Sequence, residues 1–164
     1  MAEARATVLA LLFAVAAAVG GCGGSVQPAP DVELLDAFTI PGEEDLALYL
    51  TLANGGGSDR IVGAELTGPD AGRAERITLH RGVERNGLTI MEPADHIDVP
   101  GGTGTALEPG GGHLMLEGLS APVALGDSLQ ISIRFDRSPP LTGPVEVVTV
   151  EEALDRLHEG GPTP

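Results

Sequence analysis

The sequence predicts an all-β domain, a sandwich of about seven to nine short strands. Three observations predict it. Apolar residues recur with a period of two in several stretches, and 24 Gly and 13 Pro supply turn signals between them. Turn signals every 8–12 residues or so are typical of sandwiches and barrels rather than of βαβ folds. Roughly 115 residues, from 32 to 150, have the size of such a sandwich.

The alternation locates the strands along the chain. Leu46, Leu48, Leu50 and Leu52 alternate with smaller or polar residues, which predicts a half-buried strand that ends in a turn at 54–57. Aromatic residues are scarce beyond the leader, so we expect a core of Leu, Val and Ile. Further strands are predicted at 61–66, at 77–80, at 129–135 and at 145–150.

Charge excludes one large class of partner. The formal net charge is −15, and all 9 basic residues are Arg. A chain of this sign has too few cations to neutralise a run of phosphates, so we expect no binding to nucleic acid.

The N-terminal stretch predicts export. Residues 1–21 carry an apolar run, 6–19, that is shorter than the ~20 residues of a transmembrane helix and fits a signal peptide. Small residues before Cys22 resemble a bacterial lipobox, which implies lipidation of that thiol and an extracytoplasmic, membrane-anchored protein. An ordinary secretory leader with an incidental Cys near its end is the alternative. We expect 22–31 to be a flexible tether of at most about 30 Å.

Cys22 is the only cysteine, so a lipidated chain has no free thiol. This excludes zinc sites built from Cys, Cys nucleophiles and blue-copper centres, which need a Cys ligand. The predicted organisation is completed by a β-sandwich domain at 32–150 and a short helix or disordered tail at 151–164.

Four side chains carry the functional signal: His80, Met91, His113 and Met115, spaced H-x10-M-x21-H-x-M. Taken singly, a Met is more often core filler and a His more often a surface residue. Together, two imidazoles and two thioethers form a soft, uncharged set that suits Cu(I) better than zinc, calcium or magnesium. We therefore predict one Cu(I) ion at these four residues.

Local geometry supports this set. Asn86-Gly87 predicts a two-residue hairpin turn that pairs Gly82 with Met91 and leaves His80 diagonal to Met91 on the same face. Gly82 is expected to leave room for an ion. His113 and Met115 are two apart, so on a strand they share a face. His96 and His158 have no such partners, and we expect His158 to be exposed.

The four-residue spacing resembles that of the periplasmic copper chaperones called PCu(A)C. Similar segments surround it, such as Ala47 to Asn54 before it and Gly126 to Leu129 after it. The resemblance implies a cupredoxin-like Greek-key β-sandwich, not an enzyme, that binds one Cu(I) through the four ligands. It also implies delivery of copper to an extracytoplasmic cuproprotein, above all the dinuclear copper site of cytochrome c oxidase subunit II, or to its assembly factors.

The sequence departs from the family at a few positions. Gly82 and Thr89 stand where the family's hairpin often carries extra Met residues, and Gly112 stands where a bulky apolar residue commonly precedes the second His. We expect both changes to leave a bound ion less shielded. The alternative function is therefore a structural or interaction lipoprotein that kept the sandwich and lost or weakened metal binding.

Overall fold

A computed structural model describes residues 27–159 and contains ten strands and one α-helix. The all-β prediction is confirmed, with a slightly higher strand count than the predicted seven to nine. A 3-10 turn, Gly68–Asp70, links the third and fourth strands. The strands are β1 Val32–Thr39, β2 Leu46–Asn54, β3 Asp59–Leu66, β4 Arg76–Arg85, β5 Leu88–Pro93, β6 Ile97–Val99, β7 Thr103–Leu107, β8 His113–Glu117, β9 Ser128–Phe135 and β10 Leu141–Val147, and the helix is α1 Val150–Glu159.

The strands form one continuous path in the order β5-β4-β8-β2-β1-β10-β9-β3-β6, with β7 paired to β2 off this path. Strand β2 belongs to both parts of the sheet, because its first residues pair with β8 and its later residues pair with β7. Neighbouring strands run antiparallel except β1 and β10, which are parallel at Phe38–Glu146 and Thr39–Val147. The short sheet β5-β4-β8 thus continues through β2 into a larger sheet.

The two parts of the sheet enclose a single aliphatic core. Leu46, Leu48, Leu50 and Leu52 are all buried, as the alternation in β2 predicts. They join one cluster with side chains from both sheet parts, which makes the fold a sandwich. The other fully buried large side chains are Ile61, Val99, Leu107, Leu114, Leu116, Val123, Leu129, Ile131 and Ile133.

The structure differs from the sequence-based strands in two places. The last strand is Leu141–Val147 rather than 145–150, since Val150 already begins α1. Strands β6 and β7 were not predicted: β6 has three residues, and β7 reads Thr-Gly-Thr-Ala-Leu with one buried side chain. Neither carries the alternating apolar pattern on which the prediction depended.

Residues 27–31, predicted to belong to a tether, contact the domain beside the 54–58 turn. Gly57 N donates to Ala29 O at 2.9 Å, and Asp31 N donates to the Asn54 side-chain oxygen at 3.2 Å. The Arg137 guanidinium donates to the carbonyl of Pro28 at 2.8 Å. We call this segment the strap. No helix within residues 27–159 is long and apolar enough to cross a membrane.

Candidate metal centre

The candidate ligands lie on the outer face of the β5-β4-β8 sheet. Period two puts His80 and Gly82 on this face of β4, while Leu79, which precedes His80, is buried in the core. On β8 the same alternation puts His113 and Met115 on the outer face and sends Leu114 into the core. His113 and Met115 therefore lie on the same face of a strand, as predicted from their spacing.

The two imidazoles are direct neighbours across β4 and β8. His80 is paired in register with His113, and the ring centroids lie 5.2 Å apart with 30° between the planes. Paired residues on adjacent antiparallel strands have Cβ atoms about 4.5–5.5 Å apart, so this closeness follows from the register itself. The pairing of β4 with β8 brings together two residues that are distant in the sequence.

The two methionines flank this imidazole pair from opposite sides. Met91 on β5 is paired with Gly82, which is the register that the Asn86-Gly87 turn predicts. Met115 is paired with Thr78 on β4. Each Met is therefore diagonal to His80, and the two Met residues stand at opposite corners of the array. His80 is the position common to both.

The space beside Gly82 is filled, which corrects the expectation that this glycine leaves room for an ion. A Cβ at Gly82 would lie 2.0 Å from the carbonyl oxygen of Gly110. Gly82 N also donates to Gly111 O at 2.9 Å. The turn between β7 and β8 therefore packs onto Gly82, immediately before the chain reaches His113, and borders the candidate site.

His113 is the most enclosed of the four residues. Its side chain is 6% exposed, whereas His80, Met91 and Met115 are half-buried. Burial lowers the pKa of His113, and the neighbouring charge of His80 lowers it further. A lowered pKa keeps the imidazole neutral, which is the form that binds a metal ion.

We expect His113 to titrate below the ordinary His pKa of about 6.5. Burial penalises the His113 imidazolium only in the folded state. Above the unfolded-state pKa the ring is neutral in both states, and the free energy of unfolding is not reduced. As the pH falls through the unfolded-state pKa towards the folded-state pKa, the free energy of unfolding declines. NMR titration of the ring should show the low midpoint. Urea unfolding at about pH 7.5 and pH 5.5 should show a smaller loss of stability in His113→Gln than in the wild type. A midpoint at or above that of free His would contradict this expectation.

An aromatic chain connects His113 to the C-terminal helix. The Tyr49 ring lies 6.4 Å from the His113 ring and 5.6 Å from the Phe38 ring, centroid to centroid. The Arg156 guanidinium of α1 lies 5.7 Å from the Phe38 centroid and pairs with Asp36 at 3.1 Å. Burial raises the pKa of Tyr49, so its hydroxyl stays protonated. Helix α1, which lies where a short helix or disordered tail was predicted, is thus packed against residues that neighbour the candidate site.

Sequence reasoning missed the polar residues that accompany His80 on the same face. Thr78 Oγ1 lies 3.0 Å from His80 Nε2 and donates to Glu117 Oε1 at 2.6 Å. Arg76, paired with Glu117 in register, forms an ion pair with it. The spacing of two places Thr78 on the face of His80 and Glu117 on the face of Met115, but only the pairing of β4 with β8 brings the two side chains together.

The remaining histidines lie apart from this array. His96 is exposed beside Asp98, with Nε2 3.6 Å from the carboxylate oxygen. His158 is exposed on α1, as predicted, and its Nδ1 lies 2.6 Å from the carbonyl of Leu154. In the part of the chain from 27 to 159, no group of three or more His, Cys, Asp or Glu side chains is arranged to hold a metal ion. Cys22, the predicted lipidation site, lies outside the described residues.

Comparison with solved structures defines the class of fold. A copper-bound PCuAC domain from PmoF2 superposes with a TM-score of 0.57 at 18% identity, covering 72% of this chain and 92% of that one. The Cu(I) form of DR1885 from Deinococcus radiodurans gives 0.56 at 22% identity, with coverages of 79% and 84%. An apo PCuAC domain from PmoF1 gives 0.59 at 15% identity, with coverages of 72% and 93%. The chain has the cupredoxin-like fold of PCuAC domains, as predicted.

The sequence comparison identifies the family. Residues 24–147 match the family described as "Putative lipoprotein LpqE-like", and the chain belongs to that family. A curated relative, "Putative lipoprotein Lxx21020" of Leifsonia xyli subsp. xyli, is 36% identical over 94 residues. That match spans 57% of this chain and about half, 52%, of the relative.

Proposed function

We propose that this lipoprotein is an extracytoplasmic Cu(I) carrier rather than an enzyme, and that it binds one ion through His80, Met91, His113 and Met115. The observation that carries the proposal is the in-register pairing of His80 with His113, with a Met diagonal to His80 on each side. Copper is the cargo of such a protein, so the site has to release it as well as bind it.

The donor chemistry fits Cu(I). Thioethers are soft donors that do not titrate, and an imidazole binds a metal ion only in its neutral form, which burial favours at His113, so the bound donor set carries no charge. Neutral ligands leave the positive charge of the ion uncancelled, which favours its transfer to an acceptor site that contains thiolates. The low coordination number that Cu(I) tolerates allows the acceptor's ligands to displace the thioethers one at a time.

The order of displacement follows from the positions of the ligands. Met91 lies on β5, the terminal strand of the path, whereas His113 and Met115 lie on β8 between two neighbours. His113 is also the most buried donor. An acceptor therefore meets Met91 first, and the ion leaves His113 late.

The proposed location and partners complete the assignment. Residues 1–21 are a signal peptide and Cys22 carries the lipid, so the domain at 32–150 works on the outer face of the cell membrane or in a periplasm. The acceptor is a membrane-bound cuproprotein such as cytochrome c oxidase subunit II, or one of its assembly factors. Membership of a lipoprotein family and the fold shared with copper-bound PCuAC domains support this proposal.

The test is a competition between the purified chain and a chromophoric Cu(I) chelator under reductant. We expect one equivalent of Cu(I) to be withdrawn from the chelator. Copper should then move to the soluble domain of the oxidase subunit when the two proteins are mixed, as measured in each after separation. A chain that withdraws no Cu(I) would instead support the alternative, a structural or interaction lipoprotein.

A further inference from the structure

Three polar side chains on the site face form a connected row that ends at His80. Arg76 is paired with Glu117 across β4 and β8, and the two form an ion pair. The Thr78 hydroxyl lies between this pair and the imidazole, 2.6 Å from Glu117 Oε1 and 3.0 Å from His80 Nε2. All of these contacts join neighbouring positions on one face of a two-strand ladder.

The chemistry of the groups gives each hydrogen bond a direction. A carboxylate at neutral pH only accepts hydrogen bonds, and a threonine hydroxyl has a single hydrogen to donate. Thr78 donates that hydrogen to Glu117, so its oxygen can only accept at His80. The proton of a neutral His80 imidazole must then reside on Nε2, which leaves the lone pair on Nδ1.

We propose that Thr78, oriented by Glu117, is a positioning residue that fixes the tautomer of His80 with its proton on Nε2 and reserves Nδ1 for Cu(I). This inference rests on the proposed function for the identity of the ion. The tautomer itself is a property of the metal-free protein. Arg76 contributes by holding Glu117 against β4.

The arrangement matters because His80 is the proposed ligand that lies next to both Met residues. A free imidazole exchanges between two tautomers and turns about its side-chain bonds, so only a fraction of the population is ready to bind. The apparent affinity is reduced by that fraction. Partners that orient metal-binding histidines typically change metal affinity by 10–100-fold. We expect loss of the Thr78 hydroxyl to weaken Cu(I) binding by about 10-fold, the lower end of that range.

Two variants at one position provide the test and its matched control. Thr78→Val removes the hydroxyl and keeps the β-branched shape that suits a strand. Thr78→Ser keeps the hydroxyl and removes only a methyl group. Glu117→Gln adds an amide that can donate to Thr78, which frees the Thr78 hydrogen to point at His80 and permits the opposite tautomer.

The measurement is a long-range ¹H–¹⁵N NMR spectrum of the histidine rings in the copper-free chain at about pH 8, where His is neutral. We expect one Nε2–H tautomer for His80 in the wild type and in Thr78→Ser, and a mixture in Thr78→Val and Glu117→Gln. On addition of Cu(I), the His80 shift should change at Nδ1, and chelator competition should show the affinity loss in Thr78→Val but not in Thr78→Ser.

Contrary outcomes are separable from failure of the copper proposal. A Thr78→Val protein that keeps a single Nε2–H tautomer, or a wild type in which Cu(I) binds Nε2 of His80, would overturn the inference. A wild type with the expected tautomer that binds no Cu(I) would overturn the proposed function and the role of Nδ1, while the hydrogen-bond assignment would stand.

Discussion

A His113→Ala, Met115→Ala double variant should lose tight Cu(I) binding. It removes half of the donor set from β8, including the imidazole that is most buried and directly paired with His80. Loss of groups that merely orient metal ligands costs 10–100-fold in affinity, so we expect loss of two ligands to cost at least about 100-fold. Chelator competition under reductant measures this directly.

Met91→Leu is the matched comparison for the double variant. Leu has nearly the volume of Met and lacks only the sulfur donor, and the change lies on the terminal strand β5. We expect a smaller loss of affinity, because His80, His113 and Met115 remain together. Equal Cu(I) binding by the wild type and the double variant would mean that the ion is held elsewhere, and the copper-carrier proposal would be wrong.

Gly82→Ala should damage both the fold and the site. The new methyl group would meet the Gly110 carbonyl oxygen at 2.0 Å, and neither strand β4 nor the turn can yield by rotating a side chain. Overpacking of this kind costs about 1–3 kcal/mol of stability. Because the displaced turn leads directly into His113, Cu(I) affinity should fall as well. Urea unfolding and chelator competition on the same protein measure the two effects.

Gly112→Ala is the control in the same segment. Its added Cβ would meet Ile97 Cδ1 at 3.4 Å and the His80 carbonyl oxygen at 3.6 Å, which are ordinary contacts. We expect its stability and affinity to match the wild type within about 0.5 kcal/mol. If both glycine variants behaved alike, the contact between Gly82 and the Gly110 turn would not determine the shape of the site.

Local signals account for the parts of the site that the sequence predicted correctly. The Asn86-Gly87 turn sets the register of β4 and β5 within a few residues, so the pairing of Gly82 with Met91 is readable without a structure. The period of two in β8 likewise places Met115 with His113. In both cases, the face of the sheet on which a side chain lies depends only on residues close to it in the sequence.

The parts that were missed depend on contacts between distant segments. The pairing of β4 with β8, which sets His80 opposite His113 and Thr78 near Glu117, joins segments more than thirty residues apart. The contact of the Gly110 turn with Gly82 likewise joins two distant segments, and no local pattern predicts it. The assignment of the four side chains as copper ligands remains a prediction, because paired strands establish proximity and not coordination.

The strap and the candidate site lie at opposite ends of β2. The strap is held at the Asn54 end of β2, whereas the candidate site adjoins Ala47, the partner of Met115, at the other end. Seven residues of strand separate these ends by about 23 Å. If Cys22 carries the lipid, as proposed, the chain from there to Gln27 can span at most about 17 Å. Under the proposed lipidation, so short a connection would hold the strap end of the domain near the bilayer and turn the candidate copper site outward, towards acceptors whose metal sites stand clear of the lipid surface.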